Sequence, residues 1–82
     1  MSYEKVKQAE DVLIGTKQTL KALESNIALE IILAEDADPA IKSRILQHAE
    51  SKEVSVQIVE SMKQLGKACG IDVGAAVVTL KK

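Results

Sequence analysis

Aromatic side chains are nearly missing from this 82-residue chain: Tyr3 stands alone, with no Phe and no Trp. Any core must therefore be built from Val, Ile, Leu and Ala. The single Cys69 excludes an internal disulfide and fits a reducing compartment. One Pro and four Gly leave room only for short loops. Long hydrophobic runs are also lacking. The longest, residues 73–80, is less than half a bilayer span and is interrupted by Thr79. The opening S-Y-E-K-V-K-Q-A-E-D is charged and helical in pattern, unlike a secretory signal. Neither charge sign is in excess, with eleven basic against twelve acidic residues and a net charge of −1. That balance excludes a protein that coats nucleic acid by bulk electrostatics, but not a reader of one shaped motif through a few placed contacts.

What is present is a 46% apolar composition, enough for a folded core. The length allows one domain, which leaves much of its surface wet and is only modestly stable. The expectation is a soluble cytoplasmic domain, residues 1–82, with no cofactor, no metal and no membrane partner.

Periodicity divides the chain into alternating elements. Ser2 can cap a first helix, whose spacing runs through Tyr3, Val6 and Ala9 or Glu10 to Asp11. Val12, Leu13 and Ile14 form a short strand that Gly15 stops. A second helix is predicted from Thr16, as N-cap, to about Ser25, burying Leu20 and Leu23 and ending at Asn26. From Ile27 to Ala34, Leu29, Ile31 and Leu33 fall on one face and Ile32 and Ala34 on the other. Such a strand is central and covered on both sides. Asp38 and Pro39 are an N-cap and N1 pair opening a helix that carries Ile41, Ile45, Leu46 and Ala49 to about Lys52.

Val54 to Val59 alternates as a strand. Ser61 and Gln64 make a capping box for a helix that buries Met62, Leu65 and Cys69 and closes at Gly70. Residues 71–74 read as a loop exposing aliphatic side chains, and Ala75 to Leu80 as the last strand. Lys81 and Lys82 form a basic tail expected to fray. The pattern predicts an α/β fold, a three-layer α-β-α sandwich around a sheet of about four strands. It leaves the strand order open.

The polar groups offer little catalytic chemistry. Glu35, Asp36 and Asp38 are the one dense carboxylate cluster, but the glycine and closing glutamate of a calcium loop are missing. Strand-end solvation and helix capping account for them. Cys69 needs a histidine to act as a nucleophile, and the sole His48 lies on a different helix. Gly15-Thr16-Lys17 lacks the preceding glycine and spacer of a nucleotide P-loop. Gly66 and Gly70 share the spacing of a membrane dimer motif, but the segment carries Lys67 and is too short. Gly66 inside a helix costs about 1 kcal/mol relative to Ala, so a close approach is its expected reason. These residues describe a binding module, not an enzyme. The start of the second helix, with Lys17, Gln18 and Lys21 in its first turns, is the natural contact, because free backbone N–H groups and a partial positive charge suit an anion.

Taken in order, G-T-K-Q-T at 15–19, E-D-A-D-P at 35–39 and S-M-K-Q-L-G-K-A-C-G at 61–70 resemble the ribosomal protein L-seven-Ae family of kink-turn RNA-binding proteins. The likeness is closest to the small bacterial members and covers nearly the whole chain. It implies a protein that recognises a duplex bent at a short bulge flanked by sheared G·A pairs. The family motif of Gly, a small residue, Asn, Glu, two variable residues and Lys falls on Gly15, Thr16, Lys17, Gln18, Thr19, Leu20 and Lys21. Lys17 and Gln18 depart from it, though both still donate hydrogen bonds. The neutral Gln18 offers no carboxylate to a guanine edge and buries no charge.

The resemblance further places Asp38 near the flipped-out bulge nucleotide and the loop of Ile71, Val73, Gly74, Ala75 and Ala76 against the bulge bases. Many relatives carry Arg and Pro where this chain has Val73 and Gly74, which removes one phosphate or stacking contact. The implied partner is a kink-turn in ribosomal RNA or another structured RNA such as a riboswitch, bound by a monomer associated with the ribosome or acting elsewhere in the cytoplasm; no DNA partner is expected. About two to four phosphate contacts, and so a shallow salt dependence, are expected. The alternative is a protein–protein interaction module on the same fold that docks through the apolar loop at 71–76.

Overall fold

The computed structural model describes residues 2–8 and 11–82. The first helix, α1 (Ser2–Gln8), is followed by β1 (Val12–Ile14), α2 (Thr16–Glu24), β2 (Ala28–Ala34), α3 (Pro39–Ser51), β3 (Ser55–Val59), α4 (Met62–Ala68) and β4 (Val77–Lys81). The expected positions of Ala9 and Glu10 and the capping side chain of Ser2 lie outside the described residues. The four strands form one sheet in the order β1-β4-β2-β3. β4 runs antiparallel to both neighbours, pairing Leu13 with Thr79 on one side and Ile31 with Thr79 on the other. β2 and β3 are parallel, with Leu33 opposite Ile58, as a strand–helix–strand crossover through α3 requires.

Alternation along the strands sends side chains to two separate cores. One core, under α1 and α4, contains Val6, Ile32, Ala34, Val59, Leu65, Val78 and Leu80. The other, under α2 and α3, contains Ala22, Leu23, Ile31, Leu33, Ile45, Ala49 and Val77. Ile31, Ile32, Leu33 and Ala34 have no exposed surface at all. The predicted three-layer sandwich and its central strand are therefore what the chain adopts.

Three expectations need correction. Strict alternation puts Leu29 on the face of Ile31 and Leu33, yet Leu29 is 59% exposed. The pairing with β4 shifts register between Ala28 and Glu30, and Ala28 joins that core instead. An extra residue in one strand reverses the facing of whatever precedes it. The basic tail does not fray: Lys81 closes β4 and its Nζ lies 3.1 Å from Asp11, while the Lys82 N–H donates to the Ile27 carbonyl at 2.9 Å. The last strand starts at Val77, not Ala75, because Ala75 donates its N–H to Met62 in α4 at 3.0 Å.

Three of the helices end alike. After α2, α3 and α4 the chain turns through a left-handed residue, Asn26 (φ 58°), Glu53 (φ 58°) and Gly70 (φ 79°). In each the next N–H reaches back to a helical carbonyl: Ile27 to Ala22, Val54 to Ala49 and Ile71 to Gly66, at 2.9–3.1 Å. This six-to-one closure satisfies carbonyls the helix leaves free and sets the direction of the following segment. After α4 that segment packs tightly. A Cβ on Gly66 would lie 2.0 Å from the Val73 carbonyl oxygen, so only glycine lets residues 71–74 lie on the helix.

Two substitutions test these points by urea denaturation. Gly66→Ala forces the Val73 carbonyl away and should cost about 1–3 kcal/mol; an unchanged midpoint would show that the loop does not rest on the helix. Glu53→Gly relieves a left-handed residue that carries a Cβ and should raise stability by about 0.5–1 kcal/mol, with no change in m-value.

Candidate nucleic-acid interface

The site predicted from sequence comes from three segments, and the sheet brings them to one end. β1, β2 and β3 all finish there and β4 begins there. The Gly15 N–H donates to the Val77 carbonyl and the Ala34 N–H to the Ala76 carbonyl, both at 2.9 Å. The entry to α2, the exit of β2 towards Asp38 and the end of the 71–76 loop are thus joined through backbone alone.

Gly15, not Thr16, is the N-cap of α2. Its φ of 107° and ψ of 162° belong to glycine, which explains why the chain places one between Ile14 and the helix. Thr16 is the first helical residue, and no side chain caps the helix. The Gly15 carbonyl accepts from Thr19 at 3.1 Å, the first bond of the helix, leaving the N–H groups of the first turn directed out of the end of the sheet. Lys17, Gln18 and Lys21 are all exposed. Lys17 and Lys21 are one turn apart on one face, and Gln18 adjoins Lys21 at a spacing of three.

The opposite side of the same turn is anchored. The Thr79 hydroxyl donates to that of Thr19 at 2.7 Å, both fully buried. Sequence reasoning gave Thr19 no role. Its signal is weak: a hydroxyl between Gln18 and Leu20 in a helix start, with its partner sixty residues away.

The other two helices with described starts are capped. Asp38 accepts from the Ala40 N–H at 2.8 Å, as the Asp-Pro step predicts, and its side chain remains exposed. At α4, Ser61 accepts from the Gln64 N–H at 3.1 Å, the forward half of the predicted capping box. The Ser61 N–H goes instead to the Tyr3 hydroxyl at 3.3 Å, and Asp36 accepts from Met62 at 2.8 Å. Glu35 lies 3.4 Å from the Lys42 ammonium, which also donates to the Glu35 carbonyl at 2.9 Å. The carboxylate cluster is therefore divided among three structural tasks. Among the described residues, no group of three His, Cys, Asp or Glu side chains is arranged to hold a metal.

The loop at 71–76 is less exposed than its composition suggests. Val73 is 69% exposed and Gly74 is open, but Ile71 turns in against the core under α4 and Ala75 is buried, with Ala76 partly covered. The expectation of two exposed aliphatics is corrected to one, because the backbone return to Gly66 carries Ile71 onto the sheet side of the helix. Beside Val73 the loop and α4 enclose an open groove of about 150 Å³, lined by Lys63, Lys67, Ile71, Asp72, Val73 and Gly74. Sequence reasoning gave its two lysines no binding role, since only their spacing of four in a short helix marks them.

Cys69 and His48 do not meet in any reactive arrangement. Cys69 packs against the core under α4, and burial pushes its thiol above the ordinary value. His48 sits on α3, across the sheet, with Nδ1 2.9 Å from the Arg44 carbonyl. No helix among the described residues is long and apolar enough to cross a membrane.

Comparison with known proteins points the same way as the motifs. Residues 2–82 match the Ribosomal protein L7Ae/L30e/S12e/Gadd45 family. RNA-binding protein BH0128 of Halalkalibacterium halodurans is 58% identical over 82 residues, all of both chains. RNA-binding protein YbxF of Geobacillus stearothermophilus is 54% identical over 80 residues, 98% of each chain. Among solved structures, the Giardia lamblia 15.5kD RNA binding protein superposes with a TM-score of 0.89 at 30% identity, over 99% of this chain and 71% of its own. With its α-β-α layers, its motifs and its relatives in agreement, the chain belongs to the L7Ae/L30e/S12e/Gadd45 family.

Proposed function

We propose that this protein binds RNA at a kink-turn and stabilises the kinked form, in ribosomal RNA or another structured RNA such as a riboswitch. The observation that carries the reading is the bare N-terminus of α2: α3 and α4 begin with side-chain caps, whereas α2 begins with Gly15, no cap, and Lys17, Gln18 and Lys21 in the open. Relatives that cover the whole chain are named RNA-binding proteins, and the family membership supports the same partner.

The division of labour follows from chemistry. A regular RNA major groove is too narrow for side chains, whereas a sharp bend with sheared pairs opens base edges to a helix end. Gln18 and Lys17 donate to guanine edges, and Lys21 adds a nearby phosphate or edge contact. Asp38 keeps its cap on α3 through one oxygen and has its other oxygen for the bulge nucleotide. Val73 and the open backbone of Gly74 meet the bulge bases, and Ala76 adds a lesser contact. Ile71 and Ala75 support the loop from beneath. The protein works as a cytoplasmic monomer that binds the bent conformer better than the extended one and so shifts the RNA towards it. With Ile71 and Ala75 turned inward, residues 71–76 present too little apolar surface to favour the protein-docking alternative.

A mobility-shift titration compares a kink-turn RNA with the same RNA carrying G·C in place of its G·A pairs. The kinked RNA should bind far more tightly; equal binding, or none, would reject the proposal. Gln18→Ala and Lys21→Ala should each weaken the specific complex by about 1–3 kcal/mol. If neither changes it, the base-reading contact is not at α2.

A further inference from the structure

We propose that the groove between α4 and residues 71–74 carries the sugar–phosphate backbone of the RNA strand leaving the bend, with Lys63 and Lys67 each meeting a phosphate. The inference rests on the reading of the neighbouring site as an RNA interface and extends its footprint to a helix that reading does not use. Lys63 and Lys67 are four apart, so they stand on one face of α4, about 6 Å from each other along its axis. Both are exposed, and neither belongs to an ion pair among the described residues, where Lys5, Lys42 and Lys81 are paired with Glu30, Glu35 and Asp11.

The groove exists because Gly66, between the two lysines in sequence, lets the Val73 backbone come down onto the helix. The same close approach makes the groove continuous with Val73 and Gly74, the exposed part of the loop. A strand in contact with Val73 therefore has two free cations beside it. Asp72 also lines the groove and opposes an anion there, leaving two positive charges against one negative. A strand of phosphates at ordinary spacing matches two ammonium groups one helical turn apart, and Lys serves phosphate as a mobile point charge without demanding a fixed geometry.

The test is a salt titration of binding to the kink-turn RNA and to its G·C counterpart, with Lys63→Gln/Lys67→Gln and, separately, Asp72→Asn. All three positions are exposed, so folding is unaffected. Losing two phosphate contacts should weaken binding roughly 10-fold at low salt and flatten the plot of log K against log salt by about 1.5. The preference for kinked over G·C RNA should stay as it was, since phosphate contacts carry no sequence information. Asp72→Asn should tighten binding about 2-fold, by removing a like charge from the path of the strand. An unchanged slope and affinity in the double variant, in a protein that still prefers the kinked RNA, would overturn the groove assignment alone and turn the lysines towards an acidic protein surface. Loss of that preference in the unsubstituted protein would instead overturn the reading on which the assignment rests.

Discussion

The position of β4 governs the rest of the molecule. As the last strand in sequence, it enters the sheet between β1 and β2, antiparallel to both, and is the one strand that β1 pairs with among the described residues. Its side chains serve both layers: Val78 and Leu80 enter the core under α1 and α4, and Val77 enters the one under α2 and α3. Thr79 adds a buried hydroxyl pair, to Thr19 of α2. Leaving either hydroxyl unpaired in that apolar setting would cost about 1–3 kcal/mol, so the pair strongly disfavours any rotation of α2 that separates it. The orientation of α2 about its own axis is thereby set, with Thr19 inward and Lys17, Gln18 and Lys21 outward. The start of β4 also receives the Gly15 N–H, so the height of the helix above the sheet is held by the same strand.

The helix starts differ in how they are closed. A side-chain cap contributes about 1 kcal/mol, and α3 and α4 both have one. α4 has more than its length of seven residues demands: Ser61, Asp36 and Tyr3 together come from three parts of the chain. Those bonds lock α1, the β2–α3 connection and α4 to one another beneath the loop at 71–76. α2 forgoes the equivalent contribution, and a ligand able to accept from its first-turn N–H groups recovers it on binding. A missing cap is thus a local cost to folding and, in the proposed complex, a local gain to recognition.

Much of this was legible in the sequence wherever the cause is local. The doubly apolar run at 27–34 announced a covered central strand, Asp38-Pro39 announced a capped helix, and Gly66 announced a close approach, because each depends on neighbours within a few residues. What escaped detection is long-range. Strand order and the register shift at Leu29 arise from pairing with a segment fifty residues further on. Asp36 looked like a spare carboxylate because its partner, the Met62 N–H, is 26 residues away, and the reciprocal half of the Ser61 box was lost to Tyr3, 58 residues away. Within the site, the exposure of Lys17, Gln18 and Lys21 followed from helical periodicity. The inward turn of Ile71 did not, since it depends on how the chain leaves α4. Thr16 was read as a cap from its residue type, but a glycine able to hold a φ of 107° took that position.

Charge placement then decides what kind of RNA contact this end of the fold can make. A net charge of −1 gives no long-range attraction to a polyanion, and ion pairs at Lys5, Lys42 and Lys81 withdraw three of the eleven basic residues. Lys17 and Lys21 on α2 and Lys63 and Lys67 on α4 remain exposed and outside any ion pair among the described residues, on two of the helices that start at the convergent end of the sheet. Exposed lysines on their own would attract any nucleic acid equally, and with so few of them the attraction is weak at physiological salt. Selectivity has to come from the short-range groups beside them: the N–H donors of the first turn, the Gln18 amide and the apolar contact of Val73. Those act only on an RNA whose base edges and unstacked bases reach the protein, which a straight duplex does not offer. On the proposed reading, a small, nearly neutral protein with this arrangement gains little from RNA in general and most from one bent shape.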